Sequence, residues 1–246
     1  MILHYWNGRG FAEPCRLMFK LSDKDIHLED IRYSRARMTK DPIKSFKEIS
    51  SNLEHNLGRL PVLCTNNQTI GQSIAINYYV ASELGFLGSS LIESAQILEI
   101  QEHLKEMMIV FNDTIPYGTI PTQENLDLWF NQDEIDESPN PANYKTKNKR
   151  MMKWWCSRIE YILGEEFAVG NSISLADILI YCTFYDYLRD NECKEGFPIY
   201  KKYPFYSKAR TDKILNKFPK IKNICEKIGN LDKTKEYLVS RGEQLF

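Results

Sequence analysis

The sequence predicts two domains, an α/β domain with the element order βαβαββα and an all-helical bundle domain after it. Three observations support this prediction. Strand-like and helix-like segments alternate through residues 1–85, a break rich in glycine and serine follows at residues 85–90, and apolar residues then recur at helical spacing. We therefore expect domain limits of 1–85 and 91–246.

The elements of the first domain follow from local patterns. The apolar run that begins at Ile2 and passes through Tyr5 ends at a glycine-rich turn, and a helix-like segment starts at Ala12, which predicts strand, turn and helix. An alternating run at residues 28–33 predicts a second strand, and the polar stretch at 35–56 holds at most one irregular helix. The remaining elements are a hairpin, with strands at 60–64 and 69–71, and a helix from Ser73 to Val80.

The second domain is predicted to be helical throughout. A stripe of apolar residues predicts one long core-facing helix, with Ile97, Ile100, Leu104, Met107, Met108 and Phe111 on its buried side. The acidic segment 121–148 contains prolines and predicts a long loop or insertion. Ser174 and Asp177 form a capping box that begins a buried central helix. We expect the later helices to pack around it and the tail at 233–246 to fold back over the cleft.

Composition excludes several classes of function. A net charge of -1 over 246 residues gives no basic surface for nucleic acid or an anionic membrane. No apolar run approaches membrane-spanning length, and the first residues lack the pattern of a secretory signal, so we expect a cytoplasmic protein with small-molecule or protein partners. The six cysteines are scattered without the spacing of zinc ligands, so neither a metal site nor a disulfide framework is expected.

Three places in the first domain are candidates for a binding site. Tyr5 brings a phenol to the end of a strand and opposite a helix N-terminus, which suits a bound anion, although a packed core aromatic fits the same pattern. Pro61 favours a cis peptide that turns the backbone of Leu60 towards an extended ligand, and a trans proline that opens the strand is the alternative. Gln72 and Ser73 suit a bound carboxylate or an ordinary N-cap.

Cys15 is a further candidate because it lies near the start of the first helix, where a thiolate nucleophile can be stabilised. Its neighbours Pro14 and Leu17 favour a buried thiol instead.

Taken together, these segments resemble the cytosolic glutathione S-transferases of the tyrosine type, and most closely their sigma-like classes. Residues 3–16 resemble the opening of that family, and residues 60–63 resemble its cis-proline strand. Residues 72–76 resemble its γ-glutamyl-binding turn, and residues 170–177 resemble the folding motif of its helical domain. Because the order and spacing also agree, the resemblance implies a thioredoxin-like first domain, a homodimer, and glutathione as co-substrate without a further cofactor.

The resemblance also implies a role for each candidate residue. Tyr5 is expected to be catalytic and to donate a hydrogen bond to the glutathione sulfur. The residues expected to bind glutathione are Arg59, Leu60, Pro61, Gln72, Ser73 and Glu102, the last in the partner subunit's site. The residues expected to bind a small hydrophobic electrophile are Trp6, Arg9, Phe111 and Tyr117.

Several positions depart from the family pattern, among them Phe11, Arg59 and Met38. Phe11 stands where many relatives carry an arginine that assists the thiolate, and Arg59 replaces the usual glutamine. The expected function is conjugation of the glutathione thiolate to small hydrophobic electrophiles, as in detoxification. The alternatives are glutathione-dependent isomerisation or peroxide reduction, which use the same thiolate, and a non-enzymatic carrier of hydrophobic ligands on the same scaffold.

Overall fold

The computed structural model of the chain describes residues 1–33, 53–116, 121–131, 150–185 and 208–241. These residues form four strands and nine α-helices. The strands are β1 (Ile2–Trp6), β2 (Glu29–Tyr33), β3 (Val62–Thr65) and β4 (Gln68–Gly71). The helices are α1 (Glu13–Leu21), α2 (Ser73–Leu84), α3 (Leu91–Thr114), α4 (Gln123–Asn131), α5 (Met152–Ile162), α6 (Leu175–Phe184), α7 (Lys208–Leu215), α8 (Pro219–Asn230) and α9 (Asp232–Arg241).

Contacts within the chain divide these residues into two compact units. The described residues of 1–87 and 231–241 form the first unit, and those of 88–230 form the second. The expected limits of 1–85 and 91–246 differ from these units at the C-terminal end, because α9 packs against α1. The tail is helical up to Arg241. Its described residues belong with the first unit.

The first unit is built on a mixed sheet with the strand order β2-β1-β3-β4. β1 runs parallel to β2 and antiparallel to β3, and β3 pairs with β4 as a hairpin. This arrangement confirms the predicted thioredoxin-like fold. The polar stretch in which an irregular helix was predicted lies largely outside the described residues. Apolar side chains of β1, α1, β3 and α2 form the core of the unit, among them Leu3, Leu17, Met18, Leu63 and Ile76.

The second unit is helical, as predicted. Helix α3 buries the expected stripe, except that Met108 is only half-buried. The capping box is present at the start of α6, where the Asp177 carboxylate accepts hydrogen bonds from the Ser174 N–H at 2.8 Å and the Ala168 N–H at 2.7 Å. Asp177 is therefore structural. No helix in the described ranges is both long enough and apolar enough to span a membrane.

The prediction of a loop over residues 121–148 was wrong for its first part. Residues Gln123–Asn131 form helix α4, which buries Leu126, Trp129 and Phe130. These three side chains have the i, i+3, i+4 spacing of a helix face, a signal that the acidic composition of the segment concealed. Residues 132–148 lie outside the described part of the chain.

Candidate functional site

Strand register gathers the candidate residues at one end of the sheet. A row of paired positions crosses β1, β3 and β4 and consists of His4, Val62 and Gly71. β3 runs antiparallel to both β1 and β4. The residue after the row in β1 and the residue after the row in β4 therefore lie beside the residue before the row in β3. These neighbours are Tyr5, Pro61 and Gln72. The fold thus brings together three segments that are up to 67 residues apart.

Tyr5 lies at this end of the sheet with a side chain that is only 4% exposed. Its hydroxyl oxygen accepts a hydrogen bond of 3.1 Å from the backbone N–H of Phe11, in the short helical turn before α1. The N–H at this helix start therefore orients the phenol. A phenol oxygen that accepts a hydrogen bond from an N–H keeps its own proton as a donor, and the N–H bond strengthens that donor by polarising it.

Gly10 gives the Tyr5 hydroxyl its space. Its backbone has a φ of 42°, in the left-handed region that disfavours other residues. A Cβ atom at this position would collide with the hydroxyl and lie 3.2 Å from two carbons of the Tyr5 ring. Glycine is therefore required here for two independent reasons, backbone conformation and close packing.

Arg16 lies beside the Tyr5 ring, with its guanidinium carbon 5.7 Å from the ring centroid. Its Nη1 atom donates to the carbonyl of Gly8, and its Nη2 atom donates to the carbonyl of Trp6 at 3.4 Å. Nε and Nη2 also donate to the two oxygens of Asp30, at 2.9 and 3.2 Å. Arg16 was not among the residues predicted for the site, because its contacts with Asp30 and with the turn carbonyls depend on the tertiary structure.

The environment of Arg16 keeps it charged. Burial acts to lower the pKa of the Arg16 guanidinium, but the carboxylates of Asp30 and Glu13 outweigh burial and raise that pKa. A permanent positive charge therefore lies next to the aromatic ring of Tyr5, where it attracts any negative charge that forms at the phenol or at a ligand bound to it.

The peptide bond between Leu60 and Pro61 is cis, as the sequence favoured. The segment is fixed by Asn56, whose side-chain amide donates hydrogen bonds of 3.0 Å to the carbonyls of both Arg59 and Pro61. Asn56 is buried, and it packs so closely on Gly71 that a Cβ there would collide with it. Asn56 was not predicted from the sequence. Its two bonds hold the backbone on both sides of Leu60.

Gln72 and Ser73 lie at the start of α2. Gln72 is the N-cap residue with a φ of 65°, and its side chain makes no capping hydrogen bond. Ser73 is the first residue of the helix. The Gln72 side chain therefore does not cap α2, and the N–H groups at a helix start are the kind of donor from which a carboxylate accepts.

Cys15 is not a nucleophile. Its side chain is fully buried, and burial raises the pKa of the thiol to about 12. The thiol is protonated at neutral pH, so the buried-thiol alternative is the correct one.

The other predicted site residues of the first unit have different surroundings. Arg59 is exposed, and its Nε lies 3.5 Å from the carbonyl oxygen of Asn56. Trp6 is half-buried, and Arg9 is buried. Metal-binding groups of three or more His, Cys, Asp or Glu side chains are absent from the ranges that the structure describes.

The predicted site residues of the second unit lie on or after α3. Glu102 is exposed and pairs with Lys105 at 3.1 Å. Phe111 is 1% exposed and packs edge-on against Trp129, with the ring centroids 5.2 Å apart, which favours a core role. Tyr117 lies outside the described residues.

Comparison with protein families gives two matches. A family model described as the glutathione S-transferase N-terminal domain matches residues 1–82. A second model, described as the glutathione S-transferase C-terminal domain, matches residues 126–241. Together the two matches cover most of the chain.

Individual proteins are similar over the whole chain at low identity. Glutathione S-transferase 3 of Caenorhabditis elegans is 25% identical over 99% of this chain and 98% of its own length. S-crystallin 2 of Enteroctopus dofleini is 26% identical over 85% of this chain and 88% of its own length. Among solved structures, a monomeric glutathione S-transferase of the hookworm Necator americanus has a TM-score of 0.65 and 21% identity, with 100% of this chain and 98% of that chain covered.

Proposed function

The chain belongs to the glutathione S-transferase family, and we propose that its glutathione site is the end of the sheet formed by Tyr5, Leu60 and Gln72. The chain is a glutathione transferase, which conjugates the glutathione thiolate to electrophiles. One observation carries the assignment of the site: the hydrogen bond from the Phe11 N–H fixes the Tyr5 hydroxyl at the end of the sheet where strand register also places Pro61 and Gln72.

Tyr5 is proposed to stabilise the thiolate of bound glutathione by donating its hydroxyl proton to the sulfur in a hydrogen bond. A free cysteine thiol has a pKa of about 8.5, so only a few per cent is ionised at neutral pH. A hydrogen bond to a charged group contributes about 1.5–3 kcal/mol, and one pKa unit corresponds to about 1.36 kcal/mol. The phenol alone can therefore lower the thiol pKa by about one to two units.

The reaction needs no cofactor in this proposal. The glutathione thiol loses its proton to solvent, and the thiolate sulfur attacks an electrophilic carbon. A carbon–sulfur bond forms, and the leaving group departs with the electron pair of the broken bond. Tyr5 keeps its proton throughout and acts by stabilising the thiolate before the attack.

Backbone and polar groups around the thiol are proposed to bind the rest of glutathione. The Leu60 backbone pairs with the cysteinyl unit, since the Asn56 amide fixes the carbonyls on either side of it. Gln72 and Ser73 hold the γ-glutamyl carboxylate at the start of α2. Arg59 is exposed and supplies a charge for the glycyl carboxylate. Glu102 is proposed to serve the site of the partner subunit.

The second substrate is proposed to be a small hydrophobic electrophile. The residues proposed to bind it are Trp6, Arg9 and Tyr117. Phe111, which was expected in the same role, is buried against Trp129 and is left out of this proposal. A role in detoxification in the cytoplasm is the setting proposed for this activity.

We also propose that two copies of the chain associate. Leu57 is 80% exposed, and Leu91 and Ile92 in the second unit are also exposed, which leaves large apolar side chains for a second copy to cover. The similar hookworm protein is described as monomeric, so the question needs a direct test. Sedimentation velocity is expected to give the mass of a dimer, and Leu57→Glu is expected to shift it towards monomer; a monomeric wild type would exclude the proposal.

A non-enzymatic protein on the same scaffold is the second candidate function, because some relatives are named S-crystallins and not transferases. Capture on immobilised glutathione, followed by the rate of conjugation to an aryl halide, distinguishes the two. The transferase is expected to be captured and to conjugate. A protein that is neither captured nor active would contradict the proposed site and favour the non-enzymatic alternative.

A further inference from the structure

Beside the proposed thiolate site, a buried cluster of charged groups connects the last helix of the chain to Tyr5. We refer to it as the Glu13 cluster, and its members are Glu13, Arg16, Asp30, Tyr237 and Arg241. The side chains of Glu13 and Arg241 are each 1% exposed, and that of Arg16 is 3% exposed. Charges this deeply buried are costly unless they are paired, so their arrangement is tightly constrained.

Helix α9 holds Glu13 from one side. The Tyr237 hydroxyl donates a hydrogen bond of 2.9 Å to Oε1 of Glu13, and Nη1 of Arg241 donates to the same oxygen. Burial raises the pKa of Tyr237 well above its usual value, and the Glu13 carboxylate raises it further. Tyr237 is therefore protonated at neutral pH and remains a hydrogen-bond donor to Glu13.

The other oxygen of Glu13 lies on the side of Arg16. Oε2 lies 3.5 Å from Nη1 of Arg16, the guanidinium that also binds the Gly8 carbonyl in the turn after Tyr5. The same guanidinium lies beside the Tyr5 ring, with its carbon 5.7 Å from the centroid. Arg241 is thus connected to the Tyr5 ring through two intervening side chains, although it is 228 residues from Glu13 in sequence.

Sharing of Glu13 between two guanidiniums has an electrostatic consequence. While Arg241 neutralises part of the Glu13 carboxylate, Arg16 keeps more of its own positive charge available to an anion near Tyr5. Without Arg241, Glu13 would keep the Tyr237 hydroxyl as a donor but would pair more strongly with Arg16 and draw it away from the turn that contains Gly8. Both changes would weaken the stabilisation of a thiolate.

We propose that Arg241 and Tyr237 are positioning residues for catalysis: by holding Glu13, they keep the charge of Arg16 beside Tyr5, where it stabilises the glutathione thiolate. This inference rests on the proposed function of Tyr5. Helix α9 is accordingly a functional part of the thiolate site as well as a packing element.

The test compares four variants of α9, three that each remove one contact and Arg241→Lys, which keeps the charge next to Glu13. Arg241→Gln removes the charge next to Glu13, and Tyr237→Phe removes one hydroxyl while keeping the ring. Lys233→Ala is the matched control. Lys233 also joins α9 to the rest of the first unit, through Asp23 and the Leu21 carbonyl, but its hydrogen bonds do not involve the Glu13 cluster.

The measured quantities are the pKa of the bound glutathione thiol, from the ultraviolet absorbance of the thiolate, and kcat and KM as functions of pH. Arg241→Gln is expected to raise the thiol pKa by about one unit and to lower kcat about tenfold at pH values below it, with little change in KM for glutathione. Tyr237→Phe is expected to give a shift in the same direction of about half that size. Arg241→Lys is expected to restore most of the activity, and Lys233→Ala to leave the thiol pKa unchanged.

Two results would overturn the inference alone. One is a thiol pKa equal to that of the wild type in both Tyr237→Phe and Arg241→Gln, even if urea unfolding shows that the variants are less stable. The other is an equal shift in Lys233→Ala, which would show that docking of the helix is sufficient. A wild type that binds glutathione without forming a thiolate would instead refute the proposed role of Tyr5, and the inference with it.

Discussion

Replacement of Gly10 by alanine is expected to lower activity by displacing one hydroxyl group. The added Cβ would collide with the hydroxyl of Tyr5 and press on two ring carbons at 3.2 Å. The phenol must then leave the position in which the Phe11 N–H orients it. The backbone at residue 10 can remain where it is, although alanine at a φ of 42° is strained.

The size of the effect follows from these contacts. A non-glycine residue in the left-handed region costs about 1–2 kcal/mol of stability. Loss of the hydrogen bond proposed between the phenol and the thiolate is expected to remove about 1.5–3 kcal/mol, which corresponds to a decrease in kcat/KM of about tenfold to about a hundredfold at neutral pH. Glutathione affinity is expected to change little, because the substitution does not touch the contacts proposed for Leu60 and Gln72.

Gly85 provides a matched control. It ends helix α2 with a φ of 88°, and the nearest atom to a Cβ there is a Lys24 side-chain carbon at 3.9 Å. Gly85→Ala therefore has the same kind of backbone strain without a collision. Urea unfolding and initial rates of conjugation are measured for both variants. Both are expected to lose similar stability, and only Gly10→Ala is expected to lose activity.

A Gly10→Ala enzyme with wild-type kcat/KM would contradict the proposal that Gly10 makes room for a catalytic Tyr5 hydroxyl. An equal loss of activity in Gly85→Ala would contradict the same proposal, because backbone strain elsewhere in the unit would then explain the loss.

Three further substitutions test other parts of the account. Asn56→Ala removes two buried hydrogen bonds and is expected to lower the unfolding free energy by about 1–3 kcal/mol and to weaken glutathione binding about tenfold by calorimetry; unchanged affinity would exclude Asn56 as a support of the site. Arg59→Ala is expected to weaken glutathione binding with little effect on stability, and wild-type affinity would remove Arg59 from the glycyl contact. Asp177→Ala is expected to cost about 2–4 kcal/mol in urea unfolding because the Ser174 and Ala168 N–H groups lose their acceptor, and a wild-type midpoint would contradict its structural role.

The parts of the site that the sequence predicted depend on local chemistry. Tyr5 ends a strand before a glycine-rich turn, Pro61 begins a strand, and Gln72 precedes a helix, so each could be recognised from a few neighbouring residues. The paired order of the strands then brings them together.

The parts that sequence reasoning missed depend on tertiary contacts. Glu13 and Arg241 pair across nearly the whole chain, and nothing in the local pattern of either residue indicates the other. Asn56 lies only a few residues from Pro61, but its role depends on a turn in which Leu57 and Gly58 both have positive φ. Leucine rarely adopts that conformation, so a leucine at position 57 does not predict the turn. Helix α4 was missed for a different reason, since its nine residues lie within an acidic segment that has the composition of a loop.

The most direct test of the central claim is the pH dependence of glutathione conjugation to an aryl halide, measured side by side for the wild type and Tyr5→Phe. The variant keeps the ring and loses only the hydroxyl. The pKa that governs kcat/KM is expected to rise by about one to two units, with a corresponding loss of rate at neutral pH and nearly unchanged glutathione affinity. A Tyr5→Phe enzyme with the wild-type rate and pH profile would contradict the assignment of Tyr5 as the residue that stabilises the thiolate.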